Sequence, residues 1–481
     1  LDECGDASLT NATRRITPQP EVVQERPFGP RFVTPMFMGS ALNPVNSSVI
    51  ATALVSIAAA MGVSVGQTSV LISSLYLTSA IAQPAAGRLA EEFGPRRVFL
   101  AGILIVLTGG ILGGLGQNLP TLLAARVLIG LGTSAGYPSA MLLIRRRATD
   151  VGLVTPPGDV LGVLAIAGAA TIAIGPALGG LLVGWFNWRA AFLINVPIAC
   201  ATFVMALLWI ARDPDRVRGR SAREVMARID VIGVAGFATG MTALLVFLLA
   251  LPAPDWIALT SSIAVAAALI WWELQASNPF LDLRLLASNL PLTRTYIRNG
   301  LTLLGTYVIL YGLTQWIEAA RGLSAYQAGL VLIPMGVLSA AASRVAAQRP
   351  AIDKTLTVTA VLLLAGAVAT LFLTSHSPVI AIVAVTGLFG LMSGSSNVTN
   401  QTALYKQVPA DKVGTGSGLM RTFGYIGSIA ASTITGAAFH TRVDDSGLQH
   451  VSLILIGLAA VVLLLTVFDR QLANSDTLDT R

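Results

Sequence analysis

Fourteen apolar runs, most about twenty residues long and parted by short polar joints, dominate this sequence and decide what it can become. Their approximate limits are 32–59, 67–87, 98–116, 120–143, 158–184, 190–211, 230–251, 256–273, 293–317, 326–346, 356–374, 379–404, 413–438 and 451–468. A helix of about twenty residues crosses the roughly 30 Å hydrocarbon core of a bilayer. Inside that core no water meets the peptide N–H and C=O groups, so such runs commit to helices. Composition agrees: of 481 residues 54% are hydrophobic and 11% charged, where soluble domains carry about a quarter charged residues. So few charges cannot clothe several water-facing domains, and the lipid bilayer is the expected partner of the apolar excess. The chain therefore reads as an all-α integral membrane protein. Cys4 and Cys200 lie in a polar stretch and an apolar run and give no disulfide framework. His376, His440 and His450 form no cluster with metal-ligand spacing, so neither a metal nor a cofactor is expected.

An even number of spans returns both ends to one side and assigns the loops alternately, so the distribution of cations tests the count. Loop 2–3 carries Arg88, Arg96 and Arg97, loop 4–5 carries Arg145, Arg146 and Arg147, and loop 6–7 carries Arg212, Arg216, Arg218, Arg220, Arg223 and Arg228. The later even loops add Arg284, Arg294, Arg298, Arg344, Arg349, Lys354, Lys406 and Lys412, whereas the opposite side has Arg189, Arg321 and Arg442. Both termini are expected in the cytoplasm, with the chain a multi-pass protein of the inner (plasma) membrane. The net charge of +7 has the same topological origin. Its cations are scattered over short loops without a stacking platform, so nucleic acid is not an expected partner. Trp185, Trp188, Trp256 and Trp316 fall at expected outer span ends, and Trp209, Trp271 and Trp272 at inner ends, where amphipathic rings favour the interface. About thirty polar residues, Arg14, Arg15, Arg26 and Arg31 among them, precede the first run; that is too long for the n-region of a cleaved signal, so the run is expected to be retained.

Three strings carry more than hydropathy. Loop 2–3 reads Gly87-Arg88-Leu89-Ala90-Glu91-Glu92-Phe93-Gly94-Pro95-Arg96-Arg97: a tight turn with a carboxylate near one helix end and guanidinium groups beside it, suited to a latch that forms in one state and breaks in another. Span 4 holds Arg126-Val127-Leu128-Ile129-Gly130. Span 5 holds Gly175-Pro176-Ala177-Leu178-Gly179-Gly180, whose small residues permit close helix packing, and the join to span 6 reads Trp188-Arg189-Ala190-Ala191-Phe192-Leu193-Ile194-Asn195-Val196-Pro197. These strings resemble motifs A, B and C of the major facilitator superfamily, and the join resembles its fourteen-span drug:proton antiporter branch. Glu91, Glu92, Pro95 and Ile129 depart from the family patterns, and the second-half counterpart of motif A, Ser343-Arg344-Val345-Ala346, is degenerate. The resemblance covers roughly residues 32 to 468. It implies the major facilitator fold, with a six-helix bundle over 32–211, two extra spans and linkers over 212–292 and a second six-helix bundle over 293–468, flanked by cytoplasmic tails 1–31 and 469–481. It also implies alternating access around a midplane cavity and export of small amphipathic compounds.

The candidate cavity residues come from the spans themselves. Asn46 sits where the branch commonly has an acid, and asparagine carries no proton. Arg126 and Arg421 lie about 10 Å and 12 Å inside their spans at 1.5 Å per residue, where facing lipid would cost each about 2.5–3.5 kcal/mol. Tyr307, Tyr311 and Gln315 repeat every fourth residue on span 9, Asn397, Asn400 and Gln401 cluster on span 12, and Tyr425 follows Arg421 by one turn. A cavity of this make-up offers stacking, hydrogen bonds and positive charge, and fits neutral or anionic amphiphiles. Glu318 and Asp159, near span ends, are the candidate proton sites, although an end-of-span acid ordinarily meets solvent. Two couplings stay open: proton antiport from the resemblance, and uniport or anion-linked carriage from the residues. An enzyme is disfavoured, because no H-E-x-x-H and no phosphate-cradling G-x-x-x-x-G-K-[ST] occurs. A receptor that transports nothing is the remaining alternative. A monomer is the expected assembly.

Overall fold

The computed structural model describes residues 27–153, 160, 174–213, 230–250, 253–277, 279–281, 283–349, 351–408 and 413–469. Among the described residues there are helices and connections and no strand. In chain order the main helices are α1 (Pro30–Met61), α2 (Val65–Phe93), α3 (Pro95–Leu115), α4 (Leu119–Asp150), α5 (Ile174–Phe186), α6 (Ala190–Trp209), α7 (Val231–Leu248), α8 (Trp256–Glu273), α9 (Leu290–Ala319), α10 (Ala325–Ala347), α11 (Ile352–Leu371), α12 (Val379–Gln407), α13 (Val413–Ala438) and α14 (Asp445–Val467). Twelve of them are long and apolar enough to cross a bilayer; α5 and α13 are not among the twelve. The described part of α5 is short, and α13 dilutes its apolar residues with glycine, serine, threonine and Arg421.

Turn chemistry places the helix ends. Gly62, at φ +65°, closes α1, and a Ser64–Gln67 capping box opens α2 three residues later. Asn118, Asp255 and Asp444 cap α4, α8 and α14 with their side-chain oxygens, and Ser324 with Gln327 repeats the capping box at α10. Two helices are irregular at mid-length. The backbone of α1 tightens to a 3₁₀ turn over Ile50–Ala53, and α9 widens to a π-helical turn over Ile309–Leu313. Such turns expose or re-aim backbone groups and recur at functional sites.

The first six helices pack chiefly with one another, through α1 with α4 and α6, α2 with α4, and α3 with α4 and α6. The last six do the same, through α9 with α12 and α13, α10 with α12, and α11 with α12 and α14. The α7–α8 hairpin lies between, with α7 against both α2 and α13. The largest apolar cluster runs through both sets of helices, and the outward faces carry exposed residues such as Ile257, Ile263, Leu208 and Ile380, as a lipid-facing surface should.

Two expectations change. Trp185, Trp256 and Trp271 are exposed, but Trp316 is fully buried, its indole N–H donating to Asp445 Oδ1 at 2.9 Å, and Trp188 is buried against Phe192. The Trp316 indole N–H thus finds a protein partner in place of the interface, and the Arg189 guanidinium lies 4.3 Å from the Trp188 ring centre. Arg298, read as a loop cation, is a buried residue of α9: its Nη1 lies 3.7 Å from Asp469 Oδ2 and its Nε donates to Asn400 Oδ1 at 3.0 Å. Asp469, read as the start of a solvated tail, is likewise buried.

Candidate functional site

At mid-length the two sets of helices meet through tyrosines. On α9, Tyr311 in the π-helical turn and Tyr307 just before it lie nearly parallel, ring centroids 5.5 Å apart at 15°. Tyr76 of α2 meets Tyr307 edge-on at 5.2 Å and approaches Tyr425 of α13 at 5.9 Å. The Tyr311 hydroxyl donates to Ser47 O at 3.0 Å, which leaves the Tyr76 hydroxyl to donate to Tyr311 at 2.7 Å. The Tyr425 hydroxyl donates to Gln83 Oε1. One turn further along the same face, Ser73 and Ser432 share a hydrogen bond of 2.5 Å.

Arg126 lies behind this cluster, fully buried. Its Nε donates to Leu71 O at 2.8 Å and its Nη1 to Asn46 O at 3.2 Å, so one guanidinium ties α4 to α2 and α1. Nη2 has no partner among the described residues. Asn46 uses its amide on Asn195 of α6, donating at 2.6 Å and accepting at 2.9 Å. Each amide also donates to a carbonyl of its own helix, Leu42 or Phe192. Gln315 is fully buried with neither amide atom partnered, and Glu318, one turn on, is buried with Oε1 unpartnered among the described residues. An unmade hydrogen bond of this kind costs about 1–3 kcal/mol. Glu318 is thus not the solvated end charge that its place in the sequence suggests. Beyond it, at the end opposite the basic loops, a cavity of about 740 Å³ opens between α1 and α9, lined by Val55, Ala58, Ala319, Ala320 and Arg442. Asp159 lies outside the described residues.

The structure gathers Asn46, Arg126, Tyr307, Tyr311 and Tyr425, brings Arg421 beside Tyr425, and leaves Asn397, Asn400 and Gln401 apart. Arg421 is exposed, its guanidinium 3.7 Å from the ring centre of Tyr137 on α4, so this cation joins the two halves. Asn400 belongs to the Arg298–Asp469 network, Gln401 is half-buried and Asn397 is exposed. Sequence reading missed Tyr76, Gln83 and Asn195 as site residues, because the partner of each lies on another helix. The string Gly132-Thr133-Ser134-Ala135-Gly136 reads as a hydrolase-like G-x-S-x-G, but it runs through α4 without the strand-to-helix elbow. Ser134 there donates to Gly130 O at 2.6 Å.

The glycine string of α5 forms a seam. A Cβ at Gly179 would lie 2.6 Å from Val49 O of α1, and one at Gly180 would meet Ala325 O of α10. In return, a Cβ at Gly329 would lie 2.5 Å from Pro176 O. Gly175 closes on Ser48 in the same way.

At the basic end the α2–α3 turn is held by a residue that sequence reading passed over. Gly94 takes φ +98°, and Asp213, just past α6, fills the space where a side chain would stand. Its carboxylate accepts from Arg97 N at 2.9 Å and Arg96 N at 3.3 Å, capping α3. Arg146 approaches at 3.4 Å, while Arg96 Nη2 donates to Leu207 O. Glu91 and Arg97 are exposed, and Gly87 has ordinary room beside Pro138. The Arg146 side chain is 36% exposed, so that ion pair adds little and the cap dominates. Asp213→Ala should therefore cost about 0.5–2 kcal/mol, whereas Asp213→Asn, which keeps one acceptor oxygen for one of the two N–H groups, should lose only part of that in thermal unfolding. Equal losses in both would show that charge, and not capping, holds the turn.

A sequence model of the Major Facilitator Superfamily matches residues 36–432. The chain is 32% identical over 440 residues to the uncharacterized MFS-type transporter YwoD of Bacillus subtilis, covering 91% of this chain and 96% of that one. It is 24% identical to the methylenomycin A resistance protein of Streptomyces coelicolor, over 89% of each, and 26% identical to the multidrug resistance protein Stp of Mycobacterium tuberculosis, over 76% and 68%. A crystal structure of the nucleoside transporter NupG superposes with a TM-score of 0.63 at 12% identity, over 91% of this chain and 99% of that one. With its all-helical architecture and a family match over most of its length, this chain is a multi-pass membrane transporter and belongs to the major facilitator superfamily.

Proposed function

We propose that the protein exports small amphipathic compounds by alternating access, in exchange for protons, from the cytoplasmic side of the plasma membrane with both chain ends in the cytoplasm. Glu318 carries this reading: a buried carboxyl with an unpartnered oxygen, on the helix that supplies Tyr307 and Tyr311, near a cavity at the opposite end from the basic loops. The halves meet through hydroxyl pairs and glycine contacts, which can separate and reform as the halves rock. Relatives named for drug resistance support the substrate class. The tyrosine cluster, with Arg126 behind it and no carboxylate within it among the described residues, favours neutral or anionic amphiphiles over quaternary cations.

The test is flux of neutral, anionic and quaternary-cation fluorescent amphiphiles into proteoliposomes with an imposed pH gradient. Wild type should be driven by the gradient, and Glu318→Gln should lose that drive while keeping substrate exchange. The unpartnered Nη2 of Arg126 supports a second reading, uniport or anion-linked carriage. That reading prevails if wild-type flux ignores the gradient and Asn46→Asp makes it responsive. A preference for quaternary cations that survives Arg126→Ala combined with Arg421→Ala would overturn the substrate class.

A further inference from the structure

The α7–α8 hairpin touches both moving halves, and the contact contains a further pair of buried acids. Phe237 of α7 and Phe280, just past α8, pack at 5.5 Å against each other and against Ala80 of α2, with Tyr425 of α13 at the margin. Beside this cluster Asp230 caps α7 from a left-handed conformation, φ +54°. Its carboxylate accepts from Gly233 N at 3.0 Å, the Trp272 indole at 2.8 Å and Phe280 N at 2.8 Å. Glu273, the last residue of α8, is 1% exposed, and neither of its oxygens has a hydrogen-bond partner among the described residues. The peptide N–H groups of Phe280 and Leu281 lie near it without completing a bond. The two acids converge at Gly233: a Cβ there would touch Asp230 Oδ2 and lie 2.7 Å from Glu273 Oε1.

Among the described residues the cation acting on both acids is Arg88 of the motif A loop, whose Nη2 donates to Pro279 O at 2.9 Å; Glu91 also acts on it. Three donors around Asp230 suit a carboxylate. A carboxyl with no completed hydrogen bond among the described residues, buried against another acid, suits the protonated form, against the pull of the Arg88 cation. We propose that Glu273 is a proton-binding site of the hairpin, holding its proton while Phe280 is docked on α2 and yielding it to water at the basic end when that contact opens. The proton site is thereby placed on the two helices that lie outside the six-plus-six arrangement, and it stands whether or not Glu318 exchanges protons with substrate.

The test needs no substrate. Infrared difference spectra of the full chain in lipid nanodiscs, between acidic and alkaline buffer, should contain a carboxylic-acid C=O band that is absent in Glu273→Gln and present in Glu318→Gln. A Glu273→Gln protein with wild-type helix content and every band intact would overturn the proposal. If that variant does not fold, Glu273→Asp decides: a band displaced in frequency supports the assignment, and an undisplaced spectrum refutes it. Loss of a band in Glu318→Gln alone would support the exchange reading and sink this one, so the two fail separately.

Discussion

Arg126→Lys should fold and yet transport at least about tenfold more slowly than wild type, with Arg126→Ala slower still. Wild-type Arg126 spans two carbonyls on different helices, Leu71 O through Nε and Asn46 O through Nη1, and a planar fork can do so where a single ammonium cannot. Hydrogen bonds from a charged group to buried acceptors are worth about 1.5–3 kcal/mol each in soluble proteins, while interhelical bonds measured within membranes average about 0.6 kcal/mol. Even the lower figure, counted for both bonds, approaches the roughly 1.4 kcal/mol that a tenfold change in rate requires. The larger effect is geometric. Losing the fork frees Asn46 and the adjoining 3₁₀ turn of α1, and with them Ser47 O, the acceptor of Tyr311. Initial uptake rates and thermal unfolding, measured on the same preparations, separate the two contributions. A lysine variant that transports at the wild-type rate would leave Arg126 as a charge with no organising role.

How far such a site can be read in advance depends on which spacing carries it. Tyr307 and Tyr311 were legible together because four residues along one helix fix a shared face. The same rule grouped Asn397, Asn400 and Gln401, and there it failed: spacing defines a face but not the neighbour that the face meets. Asn400 meets Arg298 while Asn397 is exposed. Contacts between distant segments, such as Asn46 with Asn195 or Tyr425 with Gln83, leave no local trace. The hidden charges have a different cause. Asp213, Arg298, Asp469 and Glu273 all sit where an apolar run ends, and hydropathy assigns such positions to water. In the fold those ends meet segments distant in the chain: Asp213 caps α3, Arg298 pairs with Asp469, and Glu273 has no hydrogen-bond partner among the described residues. The span pattern itself was legible because hydrocarbon leaves the backbone no alternative to helix. Its departures are α5, whose described part is short, and α13, whose glycine, serine, threonine and Arg421 dilute the apolar run.

Closure of the two halves can be tested with one carbon atom. Gly180→Ala and Gly329→Ala should shift the protein towards a form open at the end opposite the basic loops, because their new Cβ atoms meet backbone: Ala325 O in one case, Pro176 O at 2.5 Å in the other. Backbone on packed helices cannot step aside as a flexible side chain can, and overpacking of this kind costs about 1–3 kcal/mol. Charged to the closed form alone, 1–2 kcal/mol moves the balance of closed to open by a factor of about 5–30. Spin labels at Ala59 and Thr441, which both line the cavity at that end, should report a longer distance in both variants. Gly418→Ala supplies the control, since a Cβ there meets nothing within 4 Å. Alanine is also the better helix former by up to about 1 kcal/mol, so a general loss of stability should not accompany the shift. Both seam variants should still bind an amphiphile from the open end while net transport falls, because the step they hinder is closure. If the label distances match those of the Gly418→Ala control and transport is unchanged, the seam is passive packing and the halves pivot elsewhere.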